Sequence, residues 1–107
     1  APVELAVTET EITAAHYTSK WAVPLADIAS AELVEELPRM DRVAGTGLES
    51  ACTGQFSAGG WGRITCCIDP RTGPWLLVEV RDGGRYLFNA SDPAATARAA
   101  DALRDFS

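Results

Sequence analysis

The feature that most constrains this chain is a change of hydrophobic period near residue 90. Before it, apolar and polar residues alternate with a period of two, as they do in strands that bury one face. After it, Ser91-Asp92-Pro93 supplies an N-cap and a proline suited to the first helical position, and an alanine-rich stretch follows. This change predicts strands over about residues 3–90 and one C-terminal helix over about residues 92–106.

Seven short strands are predicted within the alternating region. Their approximate ranges are 3–7, 12–25, 29–37, 48–56, 63–68, 76–80 and 86–90, with an interruption near Thr18-Ser19 in the second. Residues 38–47 lack a clean period and contain two glycines and a proline, so they are predicted to form the longest loop. The Asp82-Gly83-Gly84 turn is expected to set Val80 opposite Tyr86.

The helix is predicted to bury an apolar stripe, formed by Ala95 or Thr96 with Ala99, Leu103 and Phe106. One helix cannot cover both faces of a seven-stranded sheet. The sheet is therefore expected to curl on itself, either as a barrel or as two near-orthogonal sheets, with the helix closing an open end. A length of 107 residues suits one hydrophobic core, so the prediction is a mainly β, single domain over residues 1–107.

Negative charge is concentrated in the first third of the chain. The net charge is −6, with fifteen Asp and Glu against nine Lys and Arg, whereas residues 39–107 balance eight acids with eight arginines. Nucleic acids and anionic membranes both bind positively charged protein surfaces. The chain is therefore not expected to bind nucleic acid.

Cysteine usage and the apolar runs bear on the compartment. Three cysteines, two of them adjacent as Cys66-Cys67, do not resemble a secreted disulfide framework, so a cytoplasmic setting is expected. No apolar run approaches the roughly 20 residues that span a bilayer, and no signal or transit peptide is visible. Because the chain begins at Ala1 rather than Met, the sequence leaves open whether a membrane anchor precedes it. Membrane contact is expected only through a segment outside this chain.

Two cysteines share the inward parity of neighbouring predicted strands. A hairpin centred on Gly59 would set Cys52 against Cys66, as a disulfide, as a metal site with His16, or as two small buried hydrophobic groups. The third interpretation is favoured because no Cys-x-x-Cys pair exists and His16 is the sole histidine. Cys67 is expected to point outward and to be the more reactive thiol.

No convergent catalytic set is visible in the sequence. Nucleophilic chemistry assisted by histidine would have to use His16, and no Gly-x-Ser-x-Gly turn is present. Adjacent carboxylates such as Glu35-Glu36 point to opposite faces of a strand and cannot meet one substrate. Gly45-x-Gly47 and Gly60-x-Gly62 do not open a helix, so they are interpreted as turns. No enzymatic activity, cofactor or metal is predicted.

Four residues are candidates for binding a partner: Arg39, Arg42, Trp61 and Trp75. The two arginines form a positive spot in the predicted loop that would dock an acidic partner, although Asp41 between them also allows a local ion-pair network. The two tryptophans follow turns. Each is either a partly exposed hot spot or a cap on one end of the core.

Five sequence segments, taken in order, resemble the bacterial pleckstrin-homology-like (PH-like) domain family over about residues 12–106. They are Trp21-Ala22-Val23-Pro24-Leu25 with Ile28; Leu37-Pro38 with Arg42 and Gly45; Gly54-Gln55-Phe56 with Gly60 and Gly62; Val80-Arg81-Asp82-Gly83-Gly84-Arg85-Tyr86; and Ser91-Asp92-Pro93. The resemblance implies a seven-stranded, partly open antiparallel barrel capped by a C-terminal helix. It also implies scaffold or interaction roles, often behind membrane-spanning segments. At Thr96 such helices tend to carry a large apolar residue, so this helix is expected to pack closer to the barrel.

These observations lead to a main functional prediction and two alternatives. The main prediction is a non-catalytic interaction module that acts through contacts with an unknown protein partner or through self-association. Phosphoinositide binding is not expected, because the loop that would hold the headgroup is Thr8-Glu9-Thr10-Glu11. The alternatives are a barrel that holds a small apolar ligand between helix and sheet, where alanines leave room, and the soluble cytoplasmic domain of a membrane-anchored protein.

Overall fold

Nine strands, one α-helix and a short 3₁₀ helix (Leu25–Asp27) form the part of the chain that the computed structural model describes, which is residues 1–106 without the side chain of Phe106. The elements are β1 (Glu4–Val7), β2 (Glu11–His16), β3 (Ser19–Pro24), β4 (Ile28–Val34), β5 (Met40–Gly47), β6 (Cys52–Ala58), β7 (Gly62–Ile68), β8 (Trp75–Val80), β9 (Arg85–Phe88) and α1 (Pro93–Phe106). The mainly β class and the C-terminal helix are confirmed. The predicted place of Phe106 in the helix stripe, and Ser107, lie outside the described residues.

The prediction of seven strands is wrong in two places. The long second strand is the hairpin β2–β3, which reverses after His16, where Tyr17 takes a left-handed backbone conformation with φ of 52°. The predicted loop 38–47 contains strand β5, paired with β6. Residues 41–47 are exposed on both faces, and a period of two arises only where one face is buried. The sequence of β5 therefore carries no strand signal.

The strands form two sheets. One has the order β1-β2-β3 and the other the order β4-β8-β9-β7-β6-β5. The expectation that every pair is antiparallel is wrong for β7 and β9, which run parallel with Thr65 opposite Tyr86. The chain passes from β7 to β8, which lies two positions along the sheet, and returns as β9 between them. Composition marks residues 69–74 as a turn but does not show that they bridge over a third strand.

The six-stranded sheet cannot be flat. Its two edges, β4 and β5, are consecutive in the chain and are joined by residues 35–39. Six residue steps reach at most about 22 Å, whereas five interstrand spacings of a flat sheet add up to about 24 Å. The short link therefore requires the sheet to curl and bring its edges toward each other.

Both faces of the central strands are buried, in two hydrophobic clusters. The first lies between the two sheets and the helix, and includes Ile12, Val78, Phe88, Leu103 and Cys67. The second lies on the other face of the six-stranded sheet. Its members are Phe56, Ala58, Ile64, Cys66, Ile68, Trp75, Leu77 and Leu87. The expectation that Cys67 points outward to solvent is therefore wrong, since both faces of β7 are covered.

The β8–β9 hairpin keeps the predicted faces but not the predicted register. Val78, rather than Val80, lies opposite Tyr86, a shift of two residues that leaves every side chain on its expected face. The Val80 amide donates to the Gly84 carbonyl at 2.9 Å, and the Gly84 amide donates to Asp82 Oδ1 at 2.8 Å. These bonds extend the turn to residues 81–84.

Helix α1 begins as the sequence predicts. Asp92 Oδ1 accepts the Ala94 amide at 3.0 Å, which satisfies one free donor of the first turn. Thr96 is fully buried, and its Oγ1 accepts the Ala90 amide at 2.9 Å. A large apolar residue at this position would remove the acceptor for that buried amide. Within residues 1–106, no helix has both the length and the apolar character needed to cross a membrane.

Candidate functional site

A groove of about 650 Å³ lies between the edge strand β4 and the C-terminal half of α1. Residues 28–33 form its strand side, and Ala100, Leu103 and Arg104 form its helix side. Leu76 and Arg81 complete the lining. A volume of this size falls within the range of about 300–1,000 Å³ that is common for ligand sites.

The groove exists because small side chains stand where the helix and the edge strand approach each other. The pairing of β4 with β8 sets Ala31 opposite Val78 and Leu33 opposite Leu76, on the face that the helix covers through Leu103. Neither Ala31 nor Ala100 is long enough to fill the space. Residues 29–33 consequently remain exposed, although they belong to the sheet.

Strand β4 also offers unpaired backbone groups along the groove. It is the last strand in the order of the six-stranded sheet, so it is paired with β8 on one side and has a free edge on the other. Alternate N–H and C=O groups of such a strand point away from the sheet and can pair with another extended chain. The register shift between Ile28 and Ser30 confines the regular edge to residues 30–34.

Three charged residues line the groove: Arg81, Arg104 and Glu32. Arg104 Nη2 lies 2.6 Å from Asp101 Oδ1, an ion pair within the helix. The backbone amide of Arg81 donates to the Asp27 carbonyl at 2.8 Å, and its Nε donates to the Ala26 carbonyl at 3.1 Å. No carboxylate within residues 1–106 forms an ion pair with Arg81. The backbone bonds therefore fix Arg81 without neutralising it.

A second, smaller cavity of about 280 Å³ also has Arg81 in its lining. It is bordered by residues 22–24, Asp27, residues 80–82 and Tyr86. Arg81 thus lines two concave surfaces near the end of β4 where Ile28 lies opposite Val80.

The two candidate arginines lie elsewhere, near the opposite edge of the six-stranded sheet. Arg39 Nε is 3.6 Å from Asp41 Oδ1, and both side chains are largely exposed, so a local ion pair exists as one alternative expected. Arg42 lies on β5 and is exposed. The structure brings Arg39 together with Asp41 and brings neither arginine to the groove.

The two candidate tryptophans differ from each other. Trp75 is 7% exposed, belongs to the second cluster, and donates from Nε1 to the Asp69 carbonyl at 3.0 Å. Of the two alternatives for Trp75, it is therefore a buried core residue rather than a partly exposed one. Trp61 is half-buried against the same cluster, and its carbonyl accepts a hydrogen bond from the Arg85 guanidinium.

The cysteines are unbonded, and Cys52 and Cys66 do not face each other. Cys66 lies opposite Gly54, while Cys52 lies opposite Ile68, because the hairpin is centred on Gly60 rather than Gly59. Within residues 1–106, no group of three or more potential metal ligands comes together. His16 lies in the other sheet, buried and edge-on to the Tyr17 ring at 4.6 Å.

Burial makes the thiols poor nucleophiles. It raises the pKa of Cys66 to about 12, with Cys52 and Cys67 adding to the effect, and it raises the pKa of Cys67 to about 11. Burial, together with the negative charge of Asp69, also raises the pKa of Cys52. The reactive thiolate is therefore scarce near neutral pH, contrary to the expectation for Cys67.

A polar cluster around Asp69 ties the end of β7 to the start of α1. The Asp69 carboxylate accepts bonds from the Arg71 guanidinium and from Ser91 Oγ, the latter at 2.9 Å. Asn89 accepts the Asp69 amide at 2.7 Å and donates to the Asp69 and Thr72 carbonyls. Hydrogen bonds from Arg71 hold the pKa of Asp69 below its usual value. These partners saturate the carboxylate, so the cluster is structural.

Comparisons with protein-family models, with curated proteins and with solved structures find no match to this chain. Sequence reasoning anticipated space beside the alanine-rich helix but did not select Ala31 or Arg81 as site residues. The available signal was an alanine-rich run in a strand, Ala29-Ser30-Ala31, which leaves a sheet edge without large side chains.

Proposed function

We propose that this chain is a non-catalytic binding module that docks an extended segment of a partner protein in the groove between β4 and α1. The observation that carries the proposal is the coincidence of a groove of about 650 Å³ with the free edge of β4. Strand addition takes its affinity from main-chain hydrogen bonds and its specificity from pockets for alternate side chains. Here the free edge of β4 offers the main-chain groups, and the groove beside it offers the space for side chains.

The helix supplies the apolar wall for such a segment. A partner strand paired with residues 30–34 would place every second side chain on the face of Ala31 and Leu33. On that face it would contact Leu103 and fill space that the alanines leave open. The other side chains would lie on the opposite face, beside Glu32.

The PH-like assignment and a cytoplasmic setting remain part of the same proposal. A curled sheet with a C-terminal helix supports the resemblance, whereas nine strands and the parallel β7–β9 pair depart from its implied topology. Three unbonded cysteines support a reducing compartment. The docking proposal depends on the groove and does not require the family assignment.

The test uses an eight-residue peptide that alternates valine with serine and is acetylated and amidated at its ends. In amide NMR spectra of the labelled protein, we expect shifts confined to β4, β8 and α1. Ala31→Phe should fill the groove and abolish the shifts. Ala44→Phe is the matched control, because Ala44 is also an exposed alanine on an edge strand, β5.

Three results would overturn docking of a partner segment. The first is equal binding to wild type and Ala31→Phe, and the second is shifts that centre on β5. The third is a wild-type protein whose mass in light scattering doubles with concentration while Ala31→Phe stays monomeric. That last result would assign the groove to a second copy of this chain.

A small apolar ligand is the second candidate function, favoured by the groove volume and by the buried Leu76 and Leu103 in its lining. A soluble probe such as decanol distinguishes it from a peptide. If decanol raises the melting temperature of wild type but not of Ala31→Phe, and the peptide leaves the spectra unchanged, the site binds small molecules.

A further inference from the structure

We infer that the docked segment carries an acidic side chain, recognised by Arg81 at the Ile28 end of the groove. This inference rests on the proposed function, and it names the chemistry of the partner. The observations behind it are the fixed and un-neutralised guanidinium of Arg81, the charge of the groove lining, and the position of Arg81 relative to the free edge of β4.

A backbone carbonyl orients the Arg81 side chain before any partner arrives. Its Nε donates to the Ala26 carbonyl at 3.1 Å, and its backbone amide donates to the Asp27 carbonyl at 2.8 Å. A guanidinium carries five N–H donors, so four remain on the two terminal nitrogens for a bidentate carboxylate. Fixing the side chain in advance reduces the conformational entropy that binding would otherwise cost.

The charge of the lining favours an acidic partner. Arg81 and Arg104 face one carboxylate in the groove, Glu32, in a chain whose net charge is −6. Asp27 and Asp82 border the second cavity rather than the groove. Arg104 is already paired with Asp101, which leaves Arg81 as the residue of the lining best placed to attract a carboxylate.

The strand register locates the acidic residue within the segment. Arg81 follows Val80, which lies opposite Ile28, whereas Leu33 lies five residues further along β4. At about 3.3 Å per residue, the apolar end of the groove is about 16 Å from the Arg81 end. Antiparallel pairing is the more stable arrangement. In that orientation the acidic residue stands at the C-terminal end of a segment of about six residues.

The experiment compares two peptides that differ in one charge. Both alternate valine with serine over eight residues and have blocked ends, and the last residue is glutamate in one and glutamine in the other. In fluorescence anisotropy at low salt, wild type should bind the glutamate peptide about tenfold more tightly than the glutamine peptide. In 0.5 M salt this preference should be smaller, because salt screens the attraction between the two charges. Blocked ends ensure that the side chain is the sole source of the difference.

Variants of the arginines separate recognition from folding. Arg81→Gln should lose the preference for the glutamate peptide, while Arg81→Lys, which keeps the charge, should retain part of it. Arg63→Gln is the control, because Arg63 is an exposed arginine on β7 and does not line the groove. Thermal melts of each variant establish that the fold persists.

Each outcome has a defined meaning. Equal binding of the two peptides by wild type, with loss of both in Ala31→Phe, overturns the acidic inference and leaves docking intact. Retention of the preference in Arg81→Gln also overturns the inference. Failure of both peptides to bind wild type, or full binding of both to Ala31→Phe, refutes the proposed function and the inference together.

Discussion

Replacing Asp69 by asparagine removes a buried negative charge from the point where the end of β7, the following loop and the start of α1 meet. Asp69 is 1% exposed and accepts four hydrogen bonds. The donors are the Arg71 amide at 3.0 Å, Arg71 Nε at 3.2 Å, Arg71 Nη2 at 3.1 Å and Ser91 Oγ at 2.9 Å. The substitution keeps the shape of the side chain and changes its charge.

The magnitude follows from the bonds that asparagine cannot make. Its Oδ1 can still accept the two bonds that Asp69 Oδ1 accepts, but its amide nitrogen cannot accept from Arg71 Nη2 or Ser91 Oγ. A hydrogen bond to a charged group contributes about 1.5–3 kcal/mol. The Arg71 side chain is 56% exposed, so the contribution of its bond is reduced by solvent. We expect Asp69→Asn to lower the free energy of unfolding at pH 7 by about 2–3 kcal/mol.

The effect should depend on pH in one direction. The pKa of Asp69 in the folded protein lies below its value in the unfolded chain. The largest cause is the hydrogen bonding from the Arg71 side chain, and the bonds from the Arg71 amide and Ser91 act in the same direction. A carboxylate with a lowered pKa stabilises the fold fully above the unfolded pKa, near 3.9, and less as the pH falls through the folded value. The difference between wild type and Asp69→Asn should therefore shrink below about pH 4.

Urea unfolding measured by tryptophan fluorescence provides the assay, since Trp75 donates to the Asp69 carbonyl. Arg71→Gln is the comparison, because it removes the side-chain partner and leaves the bonds from the Arg71 amide and Ser91. We expect it to destabilise the fold less than Asp69→Asn does, because water can replace an exposed guanidinium. Equal stability of wild type and Asp69→Asn at pH 7 would refute the reasoning. So would a difference that stays constant from pH 7 to pH 3.

Three further predictions concern the buried groups and the tight strand pairing. Thr96→Val should lower the free energy of unfolding, measured in urea, by about 1–3 kcal/mol, because it leaves the buried Ala90 amide without an acceptor. Thr96→Ser should lower it less. An equal loss in the two variants would contradict the hydrogen-bond argument. Gly54→Ala should lower the melting temperature far more than Gly60→Ala. The φ angle is positive at both positions, so the backbone strain is shared. A Cβ at Gly54 would also lie 2.5 Å from a carbonyl oxygen of β5, whereas a Cβ at Gly60 would meet open space. Labelling of Cys67 by a disulfide reagent at pH 8 should be slow in the native protein and fast in urea, because burial raises its pKa to about 11; rapid native labelling would contradict its placement.

The groove was partly visible in the sequence. The alanine-rich helix indicated room between helix and sheet, but not which strand would border that room. The sequence did not indicate that β4 stands at an edge. Strand order depends on contacts between distant residues, so neither the free backbone of β4 nor the neighbourhood of Arg81 could be predicted.

What the sequence determined by itself is local. The change of period near residue 90, the Asp92-Pro93 helix start and the inward faces of most strands follow from side-chain alternation and from backbone preferences that act within a few residues.

Only the tertiary structure decided the rest. It made a strand of β5, whose two exposed faces leave no alternation, and it buried Cys67 by covering both faces of β7. It ran β9 parallel to β7, and it placed β4 at the edge where α1 leaves a groove. These features arise from which surfaces meet. A residue's own chemistry fixes its preference for burial or exposure, but the partner that covers it is chosen by the packing of the whole chain.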